Sequence, residues 1–348
     1  MKKFFLLTLI TALSFSVIAQ NQFEKEPYMT KSLSSESVKS TEVQTSGGSI
    51  SVTGVSTAAE TKVEVYVSPN GNRNELPSKA EIDQRLKDMY DLSITVSNNK
   101  LIAIAKSKHN ITDWKKALNI SFRIFVLKNI ATDLTTSGGS ISLTNLTGDQ
   151  KFTTSGGSLH VDNVGGKIDG RTSGGSIHLE NSRDDIDLTT SGGSIEASNC
   201  DGNIRLSTSG GSLSLKDLKG DIKATTSGGS VNGRNISGEL VTHTSGGGIH
   251  LYEMACSLEA SNSGGNIDIE IKELGKYVKI SNSGGGIDLQ LPKGKGVDLD
   301  LSGGRIKTDQ LGNFNGKVED DQLEGKLNGG GVSVRVRSSG GRINLAFK

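Results

Sequence analysis

His160, His178 and Glu196 stand 18 residues apart in a chain of 348 residues. If that interval is one turn of a stacked coil, the two imidazoles and the carboxylate lie on one outward face at about 4.8 Å spacing. Asp162 and Glu180 follow two residues further along the same segments. Nitrogen and oxygen donors in such a column are zinc or copper ligands, and the competing reading is a solvated polar face. His250 recurs at the same place four intervals after His178, about 19 Å away, too far to join the group, and His109 and His243 stand alone.

Other reactive residues point less clearly to chemistry. Asp184, Asp185 and Asp187 supply the carboxylates that glycoside cleavage needs, but they fall where a short turn meets a strand, with no long loops to wall a groove. They read as exposed polar decoration, with carbohydrate cleavage kept as an alternative. The chain has no Gly-x-Ser-x-Gly elbow, His-Glu-x-x-His helix, Cys-x-x-Cys pair or Gly-Lys-Ser/Thr phosphate loop. SGGSI also lacks the aspartate of the calcium-binding nonapeptide repeat. No catalytic residue and no cofactor is assigned.

The interval itself is the strongest signal. The serine opening each Ser-Gly-Gly is Ser137, Ser155, Ser173, Ser191, Ser209, Ser227, Ser245 and Ser263, every 18 residues, followed by Ser283 and Ser302 at 20 and 19. A strict period of this length marks a solenoid, in which each repeat buries its apolar residues against its neighbours. Counting that serine as position 1, position 5 holds Ile141, Leu159, Ile177, Ile195, Leu213, Val231, Ile249, Ile267 and Ile287. Position 14 holds Ile168, Ile186, Ile204, Ile222, Leu240 and Leu258. Apolar residues recur two further on in both arms, which predicts two short strands per coil, each with one face inward. The turns between them are the glycine pair and the stretch ending in Gly148, Gly166, Gly202, Gly220 and Gly238, where glycine accepts positive φ and permits close stacking. About ten coils at about 4.8 Å each make a rod about 50 Å long.

Position 18 carries Thr136, Thr154, Thr172, Thr190, Thr208, Thr226 and Thr244, then Asn262 and Asn282. Identical polar residues in register form hydrogen-bonded ladders. An outward threonine row would instead order water, as an ice-binding face does. The mixed neighbouring column of Thr153, Arg171, Thr189, Ser207 and His243 argues against it.

The chain opens with MKKFFLLTLITALSFSVIAQ, the layout of a secretory signal cleaved after Ala19. No cysteine follows closely enough for a lipid anchor, and no other apolar run has the length to span a bilayer. Export to the periplasm or cell surface is expected. The chain carries 39 basic and 38 acidic residues; loss of Lys2 and Lys3 leaves 37 against 38, a net charge of −1 that gives no case for nucleic-acid binding. Cys200 and Cys256 lie three coils apart, about 14 Å along the axis, beyond the reach of a disulfide. Two free thiols are expected.

The resulting fold class is all-β, a single-stranded parallel β-helix (β-solenoid) of 18-residue coils with a short helical insertion near the N-terminus. Its expected parts are a signal peptide (1–19), a flexible segment (20–42), irregular first coils with the insertion (43–135), the regular solenoid (136–310) and closing coils (311–348). Ser78 and Glu81 form a capping box before Ile82, Leu86 and Met89, so the insertion covers the open end. Trp114 reads as a packed plug there. Near the other end, Arg335, Arg337 and Arg342 read as charges guarding a terminal edge, with docking to an acidic glycan or anionic lipid as the alternative. The sequons at Asn110, Asn119, Asn145 and Asn235 matter only in a host that glycosylates.

The strand-rich opening after Ser46, the TSGGSI-x-L coils and the closing KLNGGGVSVRVRSSGGRINL resemble the bacterial adhesin family with β-strand repeats, an uncharacterised domain, over about residues 43–348. That resemblance implies a parallel β-helix and an adhesin-like role. It carries no catalytic or ligand residues to transfer. The expected function is an exported binding or structural rod that presents flat ladder faces to a surface, a glycan or an envelope protein. A carbohydrate-active enzyme or binding module, and a periplasmic scaffold, are the alternatives.

Overall fold

The computed structural model describes residues 26–70, 78–109 and 116–348. The signal sequence (1–19), Asn110 and Trp114 lie outside the described residues. In the regular rod, each coil stacks on the next as parallel strands offset by 18 residues: Ile195 pairs with Leu213, Ile204 with Ile222 and Thr208 with Thr226. The chain is a β-solenoid.

The expected pair of short strands per coil is in most coils one long strand that bends without breaking its ladder. Ile195–Thr208, Leu213–Thr226, Val231–Thr244 and Ile249–Asn262 each run 14 residues through both arms. The bend falls at position 9, where Asn145, Asn163, Asn181, Asn199, Asp217, Asn235 and Glu253 all have positive φ. Asparagine tolerates that left-handed conformation better than other side chains. The bend turns position 10 inward, so Leu146, Val164, Cys200, Leu218, Ile236 and Met254 form a further buried column beside those at positions 5, 7, 14 and 16. Each fully buried aliphatic side chain contributes about 1.5–3 kcal/mol.

The two glycine turns are built for different reasons. At position 12 the backbone is left-handed, as at Gly220 with φ +115°. At position 3 no positive φ is needed; a Cβ on Gly211 would lie 2.1 Å from the carbonyl oxygen of Gly193 in the preceding coil. That column is glycine because backbone stacks on backbone.

Both ends depart from simple chain order. Near the N-terminus, Lys100–Ser107 lies parallel to Ser40–Thr45, and Leu118–Leu127 parallel to Ile50–Val55, so a later segment builds a coil outside the first Ser-Gly-Gly coil. Antiparallel strands cover it: Tyr90–Ser97 on Lys100–Ser107, Lys62–Pro69 on Leu118–Leu127, and Met29–Ser32 on Lys62–Pro69. The stretch expected to be flexible, 20–42, thus contains the strand Met29–Ser32 and the start of Ser40–Thr45. The helix Lys79–Met89 connects two covering strands; Ser78 Oγ accepts the Glu81 N–H and Leu86 is buried. The chain then rejoins the rod through Asn129, which bridges Thr147.

At the other end, Val332–Ser338 inserts between Tyr277–Asn282 of one coil and Val297–Ser302 of another, parallel to both. The coil stacked on Ser283 is therefore reached from Ser338 and Ser339 instead of Ser302, and Ser339 N–H donates to the Asn282 carbonyl at 3.1 Å. This corrects the reading of Arg335 and Arg337 as edge guards. Their strand is interior, and the outer layers are Gln322–Leu327 and Phe314–Val318, both antiparallel.

Candidate functional site

The solenoid assigns each column a direction. Positions 6 and 8 point outward on one flat sheet, and positions 13, 15 and 17 point outward on another, while the apolar columns close a continuous core. The position 18 threonines point inward. Thr136, Thr154, Thr172, Thr190, Thr208, Thr226 and Thr244 are all buried, from 0% to 5% exposed. Each hydroxyl donates to a position 3 glycine carbonyl of the neighbouring coil, and those from Thr136 to Thr226 also accept that position's N–H from their own. Thr208, for example, bonds Gly193 O at 2.7 Å and Gly211 N at 3.2 Å. The contacts run from threonine to glycine backbone instead of from threonine to threonine. No outward threonine row exists here to order water.

On the position 6 column the rings of His160 and His178 stack, with centroids 5.0 Å apart and planes 10° from parallel. His178 Nε2 lies 3.5 Å from Glu196 Oε2, and its Nδ1 is buried without a partner. Stacked rings carry their nitrogen lone pairs in parallel planes, so they do not converge on one point. Among the described residues no group of three His, Cys, Asp or Glu side chains is arranged to hold a metal ion. Burial of the His160 ring, with the neighbouring His178 charge, lowers its pKa. His250 Nδ1 contacts Asp268 Oδ2 at 2.8 Å, further along the column.

The three aspartates are tied to neighbouring coils. Asp184 Oδ2 accepts the Gly166 N–H at 2.9 Å, Asp185 accepts from Asn203 at 3.5 Å, and Asp187 pairs with Arg205 at 3.4 Å. Cys200 and Cys256 are free and buried. Burial pushes their thiols up to about 11 and about 12.

The position 9 bend adds a feature that following apolar residues alone does not find, although its 18-residue recurrence is legible. Its side chains hydrogen-bond from coil to coil, with Asn163 Nδ2 donating to Asn145 Oδ1 at 2.7 Å and Asn199 to Asn181 at 2.6 Å. Beside its N-terminal end lies a trough of about 180 Å³ whose lining includes Lys128, Asn145, Thr147, Asn163, Gly165 and Arg183.

The repeat that carries these columns matches a known family over residues 181–346. The matching family model is described as Toastrack DUF4097. The matched stretch takes in the coils from Asn181 to the inserted closing strands, while His160, His178 and most of the trough lie before it. No curated protein matches the sequence. Among solved structures, a protein from Clostridium sporogenes ATCC 15579 described as a "putative cell adhesion protein" is similar at 11% identity, over 93% of this chain and 100% of that one, with a TM-score of 0.18. No helix among the described residues is long and apolar enough to cross a membrane.

Proposed function

We propose that the protein is an exported, adhesin-like β-solenoid that binds through its outward columns, at the cell surface, to a surface, a glycan or a protein partner outside the cell. The observation that carries this reading is the strict division of side chains. Inward columns are apolar or hydrogen-bonded to backbone, whereas positions 6, 8 and 15 present histidine, carboxylate, lysine and arginine in rows on a rigid sheet. Rows held at a fixed spacing recognise an extended partner at little ordering cost, because the scaffold is already rigid. The aspartates offered for glycoside cleavage serve coil-to-coil contacts, which favours binding over catalysis.

Retention of the purified protein on intact cells and on immobilised polysaccharides tests the reading. Retention without release of shorter sugars is expected. Release of sugar fragments, lost on replacing Asp184, Asp185 and Asp187, would make the rod a carbohydrate-active enzyme. Copurification with envelope proteins and indifference to cells and glycans would make it a periplasmic scaffold.

A further inference from the structure

We infer that the trough between Lys128 and Arg183 is a subsite for a saccharide unit bearing one oxyanion, either a carboxylate or a sulfate ester. The inference deepens the binding role proposed above and rests on it. The starting observation is a local break in the repeat. In the coil that begins at Ser173, positions 10 and 12 abandon their usual residues on either side of an arginine. Ser182 replaces an apolar side chain at position 10, Arg183 occupies position 11, and Asp184 replaces glycine at position 12 with φ +81°. The strand breaks there as well, ending at Glu180 and resuming at Arg183. An aspartate held in left-handed backbone where other coils use glycine is strained, and such strain concentrates at functional sites.

The replacements shape one feature. Asp184 turns its carboxylate onto the Gly166 N–H, and its contact with Arg183 Nε is long, at 3.9 Å. The Arg183 guanidinium lies over Gly165, where a Cβ would stand 3.3 Å from Nε. Lys128 comes from the chain as it rejoins the rod, and among the described residues it has no ion-pair partner. Position 11 reads Asn129, Thr147, Gly165, Arg183 along the axis; Lys128, the residue before Asn129, lines the trough in the first of these layers and Arg183 in the last, about 14 Å apart at the backbone, with the small residues Thr147 and Gly165 between. Asn145 accepts from Asn163 and lines the trough, and among the described residues its own amide N–H groups have no hydrogen-bond partner.

Each part has a matching chemistry. A guanidinium binds carboxylate or sulfate oxygens through paired hydrogen bonds. Side-chain amides offer both donor and acceptor to sugar hydroxyls. A hollow of about 180 Å³ has room for a single pyranose. An acidic sugar within a longer chain fits this set better than a free inorganic anion, which would leave the amides unused.

The test is calorimetric titration of the full chain with short oligogalacturonate, a sulfated oligosaccharide and a neutral oligogalactan of equal length. The acidic or the sulfated ligand binds, the neutral one binds at least about tenfold more weakly, and R183A and K128A each weaken the charged ligand about tenfold. G165S, which narrows the trough, has the same effect, while K317A on the outer closing strand Phe314–Val318 has none. The two charged arms show which oxyanion the site takes. Equal binding of neutral and charged sugars, or charged binding unchanged in R183A and K128A, would overturn the subsite and leave the binding role standing. Retention on cells with no response to any of the three ligands would also overturn the subsite alone. Loss of retention on cells and glycans alike would remove the binding role with it.

Discussion

Arg337 holds Asp300 across 37 residues of sequence, with Nη2 2.6 Å from Oδ2, and Arg335 Nε contacts the same oxygen at 3.2 Å. The pair joins the last inserted strand to the coil outside it, so the end of the rod is locked by a segment that arrives late in the chain. The hydrogen bond from Arg337, aided by Arg335, holds the Asp300 carboxyl below its ordinary value against the effect of burial. A depressed carboxyl stabilises the fold above its unfolded value of about 3.9, and that contribution is lost as pH falls through the folded value. D300N is therefore expected to lower the thermal midpoint at pH 7, and the gap from the native protein should narrow as pH falls below the unfolded value.

Deleting residues 332–348 removes a layer from between two others. The strands Tyr277–Asn282 and Val297–Ser302 would then each lose a parallel partner. Exposed strand edges pair with other chains. Size-exclusion chromatography is expected to show aggregated protein.

The glycine pair separates two kinds of constraint. A Cβ at Gly211 meets the Gly193 carbonyl oxygen at 2.1 Å, whereas one at Gly210 has its nearest neighbour at 3.3 Å. Backbone cannot yield as a side chain tip can. G211A is expected to cost more than about 3 kcal/mol and G210A under about 1.5 kcal/mol in denaturant unfolding.

Thr208 satisfies two backbone groups at once, Gly193 O and Gly211 N. Valine keeps the volume and removes the hydroxyl. T208V is expected to destabilise the rod by about 1–3 kcal/mol, more than T225V at the outward position 17.

These cases show what the sequence makes legible. The coil follows from apolar residues repeated two apart in each arm, because Ile195, Ile204 and their counterparts have no other way to be buried together. The direction of the threonines does not follow, since a polar residue beside the apolar arm serves equally well inside, against a glycine carbonyl, or outside. Stacking order at the ends is also hidden. Extrapolation from Ser283 to Ser302 assumes that coils stack in chain order, and nothing local distinguishes SGGR at Ser302 from SGGR at Ser339 as the next layer. The trough needed the stacking order resolved, because Lys128 reaches it only through the out-of-order return near Asn129.

The thiols give a prediction about reactivity. Cys200 and Cys256, pushed up to about 11 and about 12 by burial, hold almost no thiolate at neutral pH. Both are expected to be silent toward a thiol reagent in the native state at pH 7.5 and to react together on denaturation, giving two equivalents per chain.

Burial of the His160 ring, with His178 stacked on it, lowers its pKa, so the unfolded chain takes up that proton more readily. The stabilisation is present above the unfolded value of about 6.5 and is lost as pH falls through the folded value. H160N is expected to flatten the decline in thermal midpoint between pH 7.5 and pH 5.

The central claim is that the outward columns meet a partner outside the cell. Protease treatment of intact and lysed cells carrying a C-terminally tagged chain tests it most directly, since the stacked core resists cleavage and the tag reports exposure. The account predicts that the tag is shaved from intact cells. A tag that survives until lysis would contradict the adhesin role and place the rod inside the envelope.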